Sequence, residues 1–205
     1  MLTTRYKDFF QRLLRPLAGS LARTGIHPNT ITLGGLLLGV LACLWFVRSR
    51  AVLPFCGLIL AIGCLDAVDG AVARASGKVS RVGAYLDAMA DRYLEALVIL
   101  VVAIVKGYWV LSSIVLIGGQ LVSYSKARAA MEAPVTNQEW PDLMERTERS
   151  VLFLAGLAAG ELSAWRPAGQ DLFWWTLVVL AVLIHLTVFQ RVRRAVRLIA
   201  QRAGG

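Results

Sequence analysis

The stretch Leu65–Arg92, LDAVDGAVARASGKVSRVGAYLDAMADR, sets four aspartates, three arginines and a lysine in a chain that is otherwise largely apolar. Of the 205 residues 57% are hydrophobic, and the mean hydropathy is +0.62, values above those of a soluble domain and suited to several membrane spans. The net charge of +9 would fit a nucleic-acid partner, but the positive residues gather at the ends of apolar runs. That distribution implies anionic lipid headgroups and phosphorylated substrates as partners, and no nucleic acid is expected.

Outward from this stretch, spans fall near 31–48, 52–75, 82–105, 108–129, 149–165 and 171–192, each close to the ~20 residues that a bilayer core requires. The second and third reach that length only by carrying the aspartates with them. An even number of crossings puts both termini on one side, which collects all of the 22 lysines and arginines except Arg48, Arg50, Lys106 and Arg166. By the positive-inside rule this is the cytoplasmic side, and the Asp-rich connection faces it too. Before the first span, Leu2, Tyr6, Phe9, Phe10, Leu13, Leu14 and Leu17 recur at helical spacing beside Arg5, Lys7, Arg12 and Arg15. Residues 1–28 are therefore predicted to form an amphipathic helix on the membrane surface. Such a start, basic and amphipathic, is not a charged tip followed by an apolar core, so no cleavable leader is expected. Residues 29–205 then make a six-span bundle, and 1–205 reads as a single all-α membrane domain. One long polar connection, Met131 to Glu148, includes Pro134 and Pro141. Cys43, Cys56 and Cys64 lie in apolar segments without metal-ligand spacing and are expected to be small buried hydrophobes.

On a helix, Asp66, Asp69, Gly70 and Ala73 fall within an arc of about 100°, and Gly83, Asp87 and Asp91 within about 80°. Between them Gly77 suits a helix stop and Ser80 a cap for the next helix, which predicts an antiparallel hairpin with two facing acidic stripes. At ~1.5 Å per residue, Asp69 and Asp87 come level about 11 Å from the turn, and Asp66 and Asp91 about 16 Å from it. Four ionised carboxylates meeting in a low dielectric would repel strongly without a compensating cation. A divalent metal resolves the conflict. All-oxygen ligation suits Mg²⁺, Mn²⁺ or Ca²⁺ rather than zinc, and two ions would neutralise four charges. Gly70 and Ala73 leave space for a ligand to approach, and Arg74 and Arg81 at the mouth offer planar donors for phosphate. Metal, arginine and a free acid together equip a site for displacement at phosphorus. Structural ion pairing with Arg74, Arg81 and Arg92 is the plainer alternative, but four acids on two stripes exceed what those partners reach. A transporter using the aspartates as an ion or proton relay is the other rival, and it would call for neither the small residues nor the basic rim.

The pattern Asp66-x2-Asp69-Gly70-x2-Ala73-Arg74-x8-Gly83-x3-Asp87-x3-Asp91 resembles the signature of the CDP-alcohol phosphotransferases at every fixed position. The resemblance implies transfer of a phosphatidyl-type group from a CDP-linked lipid to an alcohol, with release of CMP. It also implies that Asp66, Asp69, Asp87 and Asp91 hold two divalent ions, Mg²⁺ or Mn²⁺, and that Asp91 is the base on the acceptor hydroxyl. Gly70, Arg74 and Ser80 match positions that contact the CDP part of the donor. So do Asn29, Thr30, Ile31 and Thr32, where Asn29 or Thr30 would cap the first span and present free backbone N–H groups to the ligand.

The acceptor is read from two other segments. Ser123-Tyr124-Ser125-Lys126-Ala127-Arg128-Ala129 follows the fourth span, and Glu145-Arg146-Thr147-Glu148-Arg149 precedes the fifth. Ser123, Lys126, Arg128, Arg146 and Arg149 would form an anion pocket at the cytoplasmic end, suited to an acceptor that itself carries phosphate. These segments are similar to SYxKARAE and ERxER of the prokaryotic phosphatidylinositol-phosphate synthases and their archaeal ether-lipid counterparts, which implies inositol 1-phosphate as acceptor. Ala130 stands where Glu is usual. Glycerol 3-phosphate is the alternative, since it too requires an anion pocket. The resemblance further implies a prokaryotic cytoplasmic membrane and a homodimer.

The remaining polar residues are expected to do less. Arg191, Arg193, Arg194 and Arg197 read mainly as headgroup anchors, although one of them could reach the acceptor pocket. His185 reads as a packing or dimer-contact residue, Glu95 could orient Arg92, and Gly35-x3-Gly39 is a common helix-contact pattern.

Overall fold

The computed structural model describes residues 27–132, 144 and 146–203, with the side chains of Ala67, Asp69, Arg202 and Ala203 outside that description. The expected surface helix at 1–28 and most of the 131–148 connection therefore lie outside the described residues. Those described form six α-helices: α1 Pro28–Ser49, α2 Val52–Ala75, α3 Arg81–Lys106, α4 Trp109–Glu132, α5 Arg146–Leu162 and α6 Leu172–Ala203. A short 3₁₀ turn, Pro167–Gly169, precedes α6. No strand occurs among the described residues.

Local chemistry sets the ends. His27, not Asn29 or Thr30, caps α1: its Nδ1 accepts from the Asn29 N–H at 3.3 Å. Pro28 explains the shift, because proline suits the first helical position, where its missing N–H is no loss. At the other end Arg50 takes a left-handed φ of 54°, its N–H bonding to the Phe46 carbonyl at 2.8 Å. Two residues thus suffice to turn α1 into α2. Gly77, φ +66°, follows α2 in the left-handed region that a Cβ disfavours, and Ser80 Oγ accepts from the Gly83 N–H at 2.9 Å, capping α3. Asp171 caps α6 in the same way, its Oδ1 accepting from Trp174 N–H at 2.8 Å. The last helix runs to Ala203, well past the expected end at 192, because Arg191–Ala203 contains good helix formers and neither Gly nor Pro.

α1, α2, α4 and α6 are long and apolar enough to cross a membrane. α3 has 26 residues, but Asp87, Asp91, Arg92 and Glu95 interrupt its apolar run, and α5 has 17. Leu37, Leu44, Val110 and Phe189 are exposed, a surface that suits lipid rather than water.

The chain divides into two compact units, Met1–Val98 and Ile99–Gly205, with α3 running from one into the other. Helix contacts between apolar segments in lipid rest on close packing more than on escape from water, so small residues and interlocked rings matter. In the first unit α1 packs on α2. Phe46 and Phe55, both fully buried, stack with centroids 4.0 Å apart. Gly39 lies directly against Leu94, while no described residue comes within 4 Å of a Cβ built on Gly34 or Gly35. In the second unit α6 packs on α4 and α5. A Cβ on Gly160 would stand 2.8 Å from that of Phe173, and one on Gly118 would meet Ile184 and His185. His185 is exposed, and its Nδ1 bonds the Ala181 carbonyl at 2.9 Å. Lys106 and Glu161 pair at 2.9 Å. Tyr108 hydrogen-bonds Asp171, and burial, that charge and that bond together raise its phenol above the usual value. Cys43 and Cys56 are buried as expected; Cys64 is exposed, because its helix face has no described neighbour covering it.

Candidate metal and substrate site

α2 and α3, joined through Gly77 and Ser80, form the predicted acidic hairpin. Asp66 of α2 and Asp87 and Asp91 of α3 each direct one carboxylate oxygen to a common spot, all within 4.8 Å of one another, and all three side chains are half-buried. Asp69 is on α2 one turn nearer the connection, but its side chain is not among those described. Three carboxylates at that separation repel one another, and a hard divalent cation with oxygen ligands fits the donor set.

Beside the acids, the first turn of α1 meets the start of α3. A Cβ built on Gly83 would stand 2.9 Å from Asn29 Oδ1 and 3.0 Å from Ser80 Oγ, so the carboxamide and the hydroxyl share one corner, a helical turn before Asp87. Of the neighbouring residues, Thr30 is exposed, with its N–H on the His27 carbonyl at 2.9 Å. Ile31 packs on Val68 and Val72, and Thr32 is buried, donating to the Pro28 carbonyl at 3.3 Å. On α2 the Arg74 guanidinium folds back beside Gly70, where a Cβ would lie 3.4 Å from Nη1. Arg74 is exposed.

The expected acceptor residues belong to the second unit. Ser123, Lys126 and Arg128 share the last turns of α4, and Arg146 and Arg149 the first turn of α5. Ser123 Oγ donates to the Gly119 carbonyl at 3.3 Å, and Lys126 is half-buried. Arg128 is exposed and pairs with Glu132 at 2.5 Å, whereas Arg149 is buried and donates to the Met144 carbonyl at 3.3 Å. Arg191 departs from the expected role of headgroup anchor: it is buried and donates to the Val122 carbonyl, which also accepts from Ser125 Oγ. Nothing in the sequence separates Arg191 from the exposed Arg193 two residues on. The Asn29–Gly83 contact was likewise not anticipated, although a glycine one turn before an acid marks a close approach.

A family model described as CDP-alcohol phosphatidyltransferase matches residues 25–186. The chain is 39% identical over 149 residues to an archaetidylinositol phosphate synthase of Pyrococcus horikoshii, covering 70% of this chain and 76% of that one. It is 33% identical over 208 residues to a phosphatidylinositol phosphate synthase of Streptomyces avermitilis, covering 94% and 81%. The solved Mycobacterium tuberculosis phosphatidylinositol phosphate synthase with CDP-DAG bound is similar at TM-score 0.79 and 26% identity, over 90% of this chain and 94% of that one. The same enzyme in complex with manganese and citrate gives TM-score 0.78 at 26% identity, over 89% and 88%. The family match runs through both helices of the acidic hairpin and on to residue 186, and the chain belongs to the CDP-alcohol phosphatidyltransferase family as a transferase of that kind.

Proposed function

We propose that the protein transfers a phosphatidyl-type group from CDP-diacylglycerol, or a CDP-linked ether lipid, to inositol 1-phosphate, releasing CMP. The observation that carries this reading is the meeting of Asp66, Asp87 and Asp91 oxygens within 4.8 Å, in a chain matched to the family over 25–186. Two relatives named as inositol-phosphate lipid synthases support the acceptor. The family match favours group transfer over an ion relay.

Asp66, Asp69, Asp87 and Asp91 would hold two divalent ions, Mg²⁺ or Mn²⁺. Bound there, the metal neutralises diphosphate charge and makes CMP a better leaving group. The chain's own residues do the rest. Asn29 and Ser80, in their shared corner, hold the cytidine end of the donor together with Thr30 and the backbone of Ile31 and Thr32, and Gly70 leaves room for it. Arg74 pairs with its phosphates. Asp91 accepts the proton of the attacking hydroxyl as the new P–O bond forms and the bond to CMP breaks. Ser123, Lys126, Arg128, Arg146 and Arg149 seat the acceptor's phosphate.

In this reading α3 and α5 cross the membrane as well, which gives six spans in one domain, a surface helix over 1–28, and an active site and termini facing the cytoplasm of a prokaryote. A homodimer completes the proposal. Glycerol 3-phosphate is the second acceptor to test, since the same basic residues would seat it. CMP release from CDP-diacylglycerol should require both Mg²⁺ and inositol 1-phosphate. Release with serine or free inositol at the same rate would refute the acceptor assignment, and release without any divalent ion would refute the role of the acids.

A further inference from the structure

One proline decides how the first turn of α1 uses its polar groups. Pro28 has no N–H to offer, so the first backbone donor of the helix belongs to Asn29, and His27 Nδ1 takes it at 3.3 Å. The next donor, Thr30 N–H, goes to the His27 carbonyl at 2.9 Å. Both are held by one residue, and what Asn29 offers to the corner at the start of α3 is its carboxamide. Because His27 Nδ1 accepts, it carries no proton, and the proton of the neutral ring sits on Nε2.

That corner has little slack. A Cβ on Gly83 would stand 2.9 Å from Asn29 Oδ1 and 3.0 Å from Ser80 Oγ, and Ser80 Oγ is itself fixed by accepting the Gly83 N–H at 2.9 Å. One side of the corner is therefore set by the cap of α3 and the other by the cap of α1. We propose that His27 is a positioning residue for the donor: by holding the Asn29 N–H it fixes the first turn of α1 and so places the Asn29 carboxamide at Gly83 and Ser80. This rests on the reading above, in which the corner takes the cytidine end of the CDP-lipid. Without its cap the first turn has an unsatisfied donor and frays, and Asn29, the second residue of the helix, lies within that turn. His27 is exposed, so its replacement leaves no cavity in the core.

Steady-state kinetics of the purified full-length protein in detergent with Mg²⁺ tests this, CDP-diacylglycerol and inositol 1-phosphate each being varied while the other saturates. His27→Ala should raise the donor KM about fivefold and leave kcat and the acceptor KM within about twofold of wild type. His27→Ser, whose hydroxyl oxygen can cap the same turn, should stay within about twofold in all three. Asn29→Ala should raise the donor KM about tenfold, and adding His27→Ala to it should change the donor KM no further, since the cap acts through the carboxamide. An unmoved donor KM in His27→Ala beside a raised one in Asn29→Ala overturns the positioning role and leaves the donor reading standing. So does an equal rise in both KM values, a His27→Ser variant as impaired as His27→Ala, or a further fivefold rise in the double variant. If His27→Ala does not fold, His27→Gly, which removes the ring at little cost to the helix end, decides alone: a raised donor KM with kcat kept supports the proposal, and an unmoved one overturns it. An Asn29→Ala donor KM equal to that of wild type overturns both readings.

Discussion

Gly83 and Asn29 are in van der Waals contact across the α1–α3 interface, with the carboxamide oxygen 2.9 Å from where a Cβ at residue 83 would be. Gly83→Ala must therefore push the amide aside, because Ser80 Oγ closes the other side of the gap at 3.0 Å. Expected is a donor KM raised about tenfold with the acceptor KM unmoved. Steady-state kinetics with each substrate varied in turn checks this; an equal rise in both would indicate a distorted hairpin instead.

Asp91→Asn keeps the size and most of the hydrogen bonding of the side chain but removes its basicity. Its kcat should fall about 10³-fold while Mn²⁺ still binds through the remaining acids. Turnover within tenfold of wild type would remove Asp91 as the base.

Lys126→Ala and Arg146→Ala should raise the KM for inositol 1-phosphate much more than that for the donor. Arg128→Ala should do less. Its guanidinium is already engaged by Glu132 at 2.5 Å on an exposed helix end, and exposed pairs of that kind contribute about 0–1 kcal/mol.

Tyr108→Phe should lower stability by about 1 kcal/mol, the size of one hydrogen bond, with Asp171 still capping α6. The wild-type bond also predicts a pH dependence. The phenol's folded pKa is raised above 10.0, so the native state holds its proton more tightly than the unfolded one. That contribution is fully present below pH 10.0 and is lost as the pH climbs through the folded value. Thermal melts of the detergent-solubilised protein should show this alkaline decline reduced in Tyr108→Phe.

What the sequence disclosed depended on periodicity and on residues with strong backbone preferences. Apolar runs gave five of the six helices to within a few residues, Gly77 and Ser80 marked the turn between the acidic stripes, and the interval between Asp66 and Asp91 put their oxygens together. Less legible were features decided by three-dimensional company. His27 became the cap of α1 because a proline follows it, a competition between adjacent residues rather than a property of Asn29 or Thr30. Arg191 is buried and Arg193 exposed on the same helix, since only the former faces the Val122 carbonyl. Cys64 sits in an apolar run yet faces outward, and no hydropathy scale separates the two sides of such a helix.

The tight turn at Arg50 has a further consequence. α1 and α2, of 22 and 24 residues, leave it as legs of roughly 33 and 36 Å, so Asn29 returns to about the depth of Arg74. The pair works as a calliper whose jaws are the polar ends and whose hinge is braced by the stacked Phe46 and Phe55 beside it. A thinner bilayer can be met by tilting the whole calliper, but one extra turn in either leg would slide one jaw by about 5.4 Å and carry Asn29 off Gly83.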